Sequence, residues 1–164
     1  MKEDRIKNIW DHPIFQKIER ELAEWEKERT FCRHGVEHLL DVARIATLLV
    51  YEAHMEKEYP KDVIYGAALL HDIGRLRQYK DGTPHEVESA RLAKDILKDC
   101  DYSKEEIWLM TEAIVSHRLI EAEKEKNLKG FLYKADKLSR NCVFCPAKKN
   151  CNWEKDKKNK YLLY

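Results

Sequence analysis

Apolar residues recur along this chain at steps of three and four, with charged residues between them, and no stretch alternates with the two-residue period of a strand. The spacing predicts a first helix beginning near Asp11 or His12, with Pro13 in its first turn. Ile14, Phe15, Ile18, Leu22 and Trp25 form its apolar stripe. A second helix is expected from near Gly35 to near His54, with Val36, Leu39, Leu40, Ala43, Ala46, Thr47 and Val50 inward. Pro60 and Asp62 open a third, which carries Ala67, Ala68, His71 and Asp72 and ends at Gly74, read as a left-handed stop. Lys80-Asp81-Gly82 reads as a polar turn. Thr83-Pro84-His85-Glu86 then reads as a helix start: Thr83 caps, Pro84 takes the first helical position and Glu86 completes a capping box. That helix should run to about Cys100. Ser103-Lys104-Glu105-Glu106 has the same form and opens a helix through about His117; a last helix spans Leu128 to Arg140. The fold class is therefore all-α, a single-domain bundle of about six helices.

Composition narrows this picture. The length, 164 residues, suits one domain with its own core. The expected organisation is an N-terminal helix over 1–30, a core over 31–140, and a cysteine-containing segment with a Lys-rich tail over 141–164. Net charge is +1 with the two signs interspersed, so no basic face argues for a large nucleic acid. No apolar run approaches a membrane span, and the charged start, Met1-Lys2-Glu3-Asp4-Arg5, lacks a signal-peptide core. The expected location is cytoplasmic. The five cysteines are an odd number and there is no export signal, so reduced thiols are expected rather than a disulfide framework. Lys155 to Lys160 read as a solvated tail.

The candidate chemistry lies in six residues: His34, His71, Asp72, His85, His117 and Asp136. His34 and His85 fall at helix starts, His71-Asp72 and His117 near helix ends, and Asp136 inside the last helix. His117 follows Ile114 and Met110 on an inward stripe. Polar groups on inner faces are costly to bury unless something satisfies them, and a divalent metal would. Imidazole plus carboxylate suits Fe, Mn, Co, Ni or Zn. The number of ligands allows one ion or two, with a bridging carboxylate. His38 and Asp41 share a helix face with His34; either could enter the site, with helix-surface packing the favoured reading, and His12 and His54 read as incidental.

The pattern His34 … His71-Asp72 … Asp136 resembles the HD-domain superfamily of metal-dependent phosphohydrolases. The contexts that carry the resemblance are Arg33-His34-Gly35-Val36-Glu37-His38, Ala68-Leu69-Leu70-His71-Asp72-Ile73-Gly74 and Tyr133-Lys134-Ala135-Asp136-Lys137. His85 and His117 are similar to the extra ligands of the two-metal subset, which includes the HD-GYP cyclic-dinucleotide phosphodiesterases and a bacterial diadenosine-tetraphosphatase family. The chain lacks the Gly-Tyr-Pro element of the former and departs from the latter after Asp136, where a cysteine cluster begins. The resemblance implies that His34, His71, Asp72 and Asp136 hold one metal, that His85 and His117 hold another, and that Asp72 bridges. Asp72, His85 and His117 would then be catalytic, with hydroxide generated on metal attacking phosphorus. Arg118, Lys137, Arg75 and Arg33 are candidate phosphate contacts. The implied substrate is a small phosphorylated molecule, a nucleotide or relative, with no membrane partner. Two other classes fit the same ligands: an HD-type diiron oxygenase and a nucleotide-binding sensor without turnover.

Cys142-Val143-Phe144-Cys145-Pro146-Ala147-Lys148-Lys149-Asn150-Cys151 is a C-x2-C-x5-C run. A thiolate pair at that first spacing wraps tightly around Zn²⁺ or an iron–sulfur cluster. Three cysteines leave a fourth ligand to be found. Cys32 is the candidate, because its neighbour His34 and the Cys142 neighbour Asp136 were both assigned to one metal. A structural zinc is the expectation, with free thiols as the other reading, and Cys100 belongs to the core.

Overall fold

The structure, a computed structural model, describes residues 4–164, so Met1, Lys2 and Glu3 of the charged start lie outside the described residues. Its α-helices are α1 (Arg5–Asp11), α2 (Pro13–Trp25), α3 (Val36–Glu52), α4 (Lys61–Leu70), α5 (Arg75–Asp81), α6 (His85–Asp99), α7 (Lys104–Ser116) and α8 (Leu128–Leu138). Short 3-10 turns cover Ile120–Lys124 and Lys155–Lys157, and no strand occurs among the described residues. The all-α class holds, but the helices outnumber the six or so read from the pattern.

The two additional helices are both short. α1 escapes a periodicity test because it shows only Ile9 fully buried in seven residues. Asp4 starts it, its side chain accepting from the backbone N–H groups of Ile6 and Lys7. Arg5 then fastens α1 to the starts of α4 and α7 through Asp62 (2.6 Å) and Glu106 (2.8 Å). Pro13 separates α1 from α2 by holding His12 extended, and the His12 ring accepts from the N–H of Ile14. α5 occupies the stretch read as leading to a turn; Gly82, at φ +81°, closes it in the left-handed conformation that a side chain would strain.

α4 is the axis of the bundle. From Val63 to Leu70 every residue but Tyr65 is buried. α3, α6, α7, α8 and α1 pack around it, and α2 packs against α5 and α1. This explains why α4 reads as nearly continuous apolar sequence, whereas α2 has one stripe, Phe15, Ile18 and Leu22, with Ile14 and Trp25 exposed.

Two local readings are corrected. Gly74 has φ −71°, so it is no left-handed stop. It is required for proximity instead: a Cβ there would lie 2.2 Å from the carbonyl oxygen of His85 and 2.6 Å from the Ser89 nitrogen. Gly74 also donates its N–H to the Ser89 hydroxyl at 2.8 Å. Thr83 and Glu86 do not form a capping box. The Thr83 hydroxyl donates to Asp81, Pro84 occupies the cap position and α6 begins at His85. Ser103 and Glu106 do form one, with both reciprocal bonds present.

Candidate metal centre

The His71-Asp72 pair leaves the C-terminus of α4 at the centre of the bundle, where both residues are essentially fully buried. His71 Nδ1 donates to the carbonyl of Ala68, one turn back (2.6 Å), which leaves Nε2 as a lone-pair atom facing the site. His117 repeats this arrangement at the end of α7, with Nδ1 donating to Ile114 at 2.6 Å. His85, opening α6, directs Nδ1 to the side-chain oxygen Oε1 of Gln78 in α5 at 3.1 Å. His38, in the first turn of α3, has its Nδ1 by the Ser139 hydroxyl at 3.3 Å. Asp136 enters from α8.

Two groups of ligand atoms result. One contains His38, His71, Asp72 and Asp136; the other contains Asp72, His85 and His117. In the first, His38 Nε2 lies 3.3 Å from His71 Nε2, 3.4 Å from Asp72 Oδ2 and 3.5 Å from Asp136 Oδ1. In the second, His85 Nε2 lies 3.1 Å from both His117 Nε2 and Asp72 Oδ1. Asp72 thus offers one oxygen to each group. Its Oδ2 is buried with no hydrogen-bond partner.

These distances suit a cation. Ligand atoms about 2.1 Å from a metal at tetrahedral or octahedral angles stand about 3.0–3.4 Å from one another. Imidazole lone pairs that face each other at such range, their other nitrogens already donating, repel unless positive charge lies between them. The titration of the metal-free site carries the same message. Burial disfavours charge on His71, yet Asp72 and Asp136 raise it to about 10. Burial, then the nearby His71 charge, pushes His117 down to about 3. Both carboxyls stay well below their usual range despite burial, held there chiefly by His71. Asp72, fully buried, and Asp136, largely so, thus retain a proton on His71 as counter-charge, in the place that a divalent cation would take.

His34 is not brought to either group. It precedes α3 and its Nδ1 lies 2.6 Å from Glu26 Oε1, while its backbone N–H donates to Glu26 Oε2 at 2.7 Å. The Tyr79 hydroxyl donates to the same carboxylate. Burial would raise Glu26, but the His34 and Tyr79 contacts hold it at about 2; burial keeps His34 below its ordinary value. The pair is therefore an ionised Glu26 receiving Nδ1–H from a neutral His34. His38, for which the sequence favoured surface packing but left entry to the site open, takes the position expected of His34. The pattern did contain a signal: His38 shares a stripe with the buried residues Val42, Ile45 and Ala46 of α3. Glu26, at the C-terminal cap of α2, carried no such signal.

The site opens into a cleft of about 910 Å³ whose wall includes His34, His38, His117, Asp136 and Glu19. Arg33, Arg75, Arg118 and Lys137 all line it. Arg75 donates to Asp72 Oδ1 at 3.1 Å, and Lys137 is engaged by Asp136 and the carbonyl of His117. Arg118 is half exposed near Glu86, while Arg33 is tied to carbonyls of its own loop at Lys27 and Arg29. Asp41 is also at the cleft wall; His12 and His54 are not. Among the described residues no helix is long and apolar enough to cross a membrane.

The model of the HD domain family matches residues 35–141. The chain belongs to the HD-domain family. It is similar to an uncharacterized protein of Clostridium beijerinckii, 44% identical over 140 residues that cover 85% of this chain and 86% of the relative. Its fold is similar to the crystal structure of a predicted HD superfamily hydrolase from an uncultured Thermotogales bacterium. That likeness has a TM-score of 0.65 at 19% identity, covering 88% of this chain and 79% of the other.

Proposed function

We propose that the protein is a metal-dependent phosphohydrolase that acts on a nucleotide or a related small phosphate ester or anhydride. The observation that carries this reading is the division of Asp72 between two groups of lone-pair atoms, with a buried oxygen that has no other partner. His38, His71, Asp72 and Asp136 would hold one divalent ion, and Asp72, His85 and His117 a second. Such ions, when bound, neutralise phosphoryl oxygens and acidify water.

The protein's own groups supply the rest. Arg75 holds Asp72 in place, and Lys137 does the same for Asp136. Arg118, half exposed at the cleft wall beside Glu86, suits a phosphate oxygen that the ions do not reach. Glu26 fixes the His34 ring through Nδ1, so that His34 can hold or pass a proton at Nε2 on the far side of the ring. The cleft volume suits a mono- or dinucleotide, and Phe31, Phe144 and Trp153 in its wall offer faces for a base.

The test is phosphate release from a panel of nucleotides and small phosphate esters, with Mn²⁺, Co²⁺, Ni²⁺ or Fe²⁺, in air and without oxygen. Turnover that is equal in both atmospheres and lost in Asp72→Ala is the expected result. Full activity and metal content in Asp72→Ala would refute the site. Turnover only with iron and oxygen would replace hydrolysis by oxidation, and tight nucleotide binding without turnover would make the protein a sensor.

A further inference from the structure

The cysteines left over from this chemistry converge at the mouth of the same cleft. Cys32, from the loop before α3, and Cys142, Cys145 and Cys151, from the segment after α8, all line its wall. They are separated by more than a hundred positions in sequence, and all four lie outside the stretch that matches the HD-domain family. None is in a disulfide. Cys32 keeps open surface, yet desolvation pushes its thiol above the ordinary value, with Cys142 and then Cys145 adding to the rise. That mutual influence puts three of the sulfurs in one neighbourhood.

The segment that carries three of them has little packing of its own to hold it in place. Over residues 141–164 the one regular element is the 3-10 turn Lys155–Lys157, and Ala147 alone is buried. Fixing each residue of such a stretch costs on the order of 1–2 kcal/mol of backbone entropy, and there is little apolar burial to offset it. Small irregular segments of this kind usually need a covalent or metal cross-link. The backbone is already folded for one. Cys145 donates its N–H to the carbonyl of Cys142 (3.4 Å) and Lys148 to that of Cys145 (3.1 Å), successive tight turns around the C-x2-C pair. Lys158 donates to the Cys151 carbonyl at 3.0 Å, and Arg140, stacked on Trp153, opposes the rise at Cys32. These cations would offset the negative charge of a thiolate cluster.

We propose that Cys32, Cys142, Cys145 and Cys151 form a four-thiolate metal centre, separate from the His/Asp centre, that fastens the C-terminal segment across the cleft mouth. The cage closes on binding: among the described residues, the groups of ligand atoms already within 4.8 Å of one another are His/Asp groups. A soft four-sulfur site takes either Zn²⁺ or an iron–sulfur cluster.

The experiment uses the full chain, purified without oxygen and without chelators. A thiol-specific mercurial is titrated in while released metal is measured. Metal should appear in step with the four thiols, as zinc without colour or as iron with acid-labile sulfide and visible absorption; the first identifies Zn²⁺ and the second a cluster. Cys32→Ser and Cys145→Ser should each lose the whole of that metal, and Cys100→Ala none. No mercurial-released metal in the wild type overturns the proposal, even where a variant fails to fold. Retention of that metal by Cys32→Ser overturns the four-thiolate assignment.

Discussion

Replacing His38 by alanine should cost the protein a metal, whereas replacing His34 by alanine should cost it turnover. His38 Nε2 stands 3.3, 3.4 and 3.5 Å from His71, Asp72 and Asp136, the separations expected of atoms sharing one ion. Its removal leaves three of four donors. Loss of an outer partner costs metal sites about 10–100-fold in affinity, so loss of a direct ligand should exceed about 100-fold, or about 2.7 kcal/mol. His34 reaches Glu26 instead, at 2.6 Å. In His34→Ala, metal affinity should stay within about 10-fold, while kcat falls by about 10²–10⁴, the usual contribution of a positioned proton carrier. Glu26→Gln should follow His34→Ala in kcat by leaving the ring unanchored. The assay is calorimetric Mn²⁺ titration of chelator-treated protein at one pH, beside phosphate release by the same preparations. If His34→Ala abolished metal binding and His38→Ala retained it, the assignment drawn from these distances would be wrong.

Two further predictions concern stability. Glu19 lines the cleft with a buried oxygen that has no partner, and burial, with Glu26 and Asp72 nearby, raises it to about 7 from an ordinary 4.5. A raised folded-state value means that the stability present below about pH 4.5 is lost as pH rises through about 7. Metal-free Glu19→Gln should therefore match wild type near pH 4 and be more stable by about 3 kcal/mol at pH 8 by urea unfolding; parallel pH profiles would count against it. Gly74→Ala puts a methyl group into the backbone of His85 and Ser89. It should lose about 3 kcal/mol and weaken metal binding through a displaced His85; an unchanged urea midpoint would show that the α4–α6 contact can yield.

The bundle was legible because burial and helical period coincide. The stripe of α3, the apolar run of α4 and the reciprocal cap of α7 are local patterns. α1 and α5 were not, since a helix of seven residues shows barely two turns of any period. Gly74 could be recognised as special, but its reason was misread, because a close approach by a helix that follows it in sequence leaves no local mark. The exchange of His34 for His38 has the same origin. Both histidines lie in one short motif, and which one faces Asp72 depends on where α3 starts and on Glu26, contributed by a different helix.

By itself, the amino-acid sequence determined the helical class, the buried character of α4 and the kinds of ligand present, since residue type and period set which faces leave water. The tertiary structure decided which atoms meet. It split Asp72 between two histidine groups, paired His34 with Glu26, and carried Cys32 to the wall that holds Cys142, Cys145 and Cys151. Those relations join residues far apart in the chain, and only packing sets the distances on which coordination and proton transfer depend.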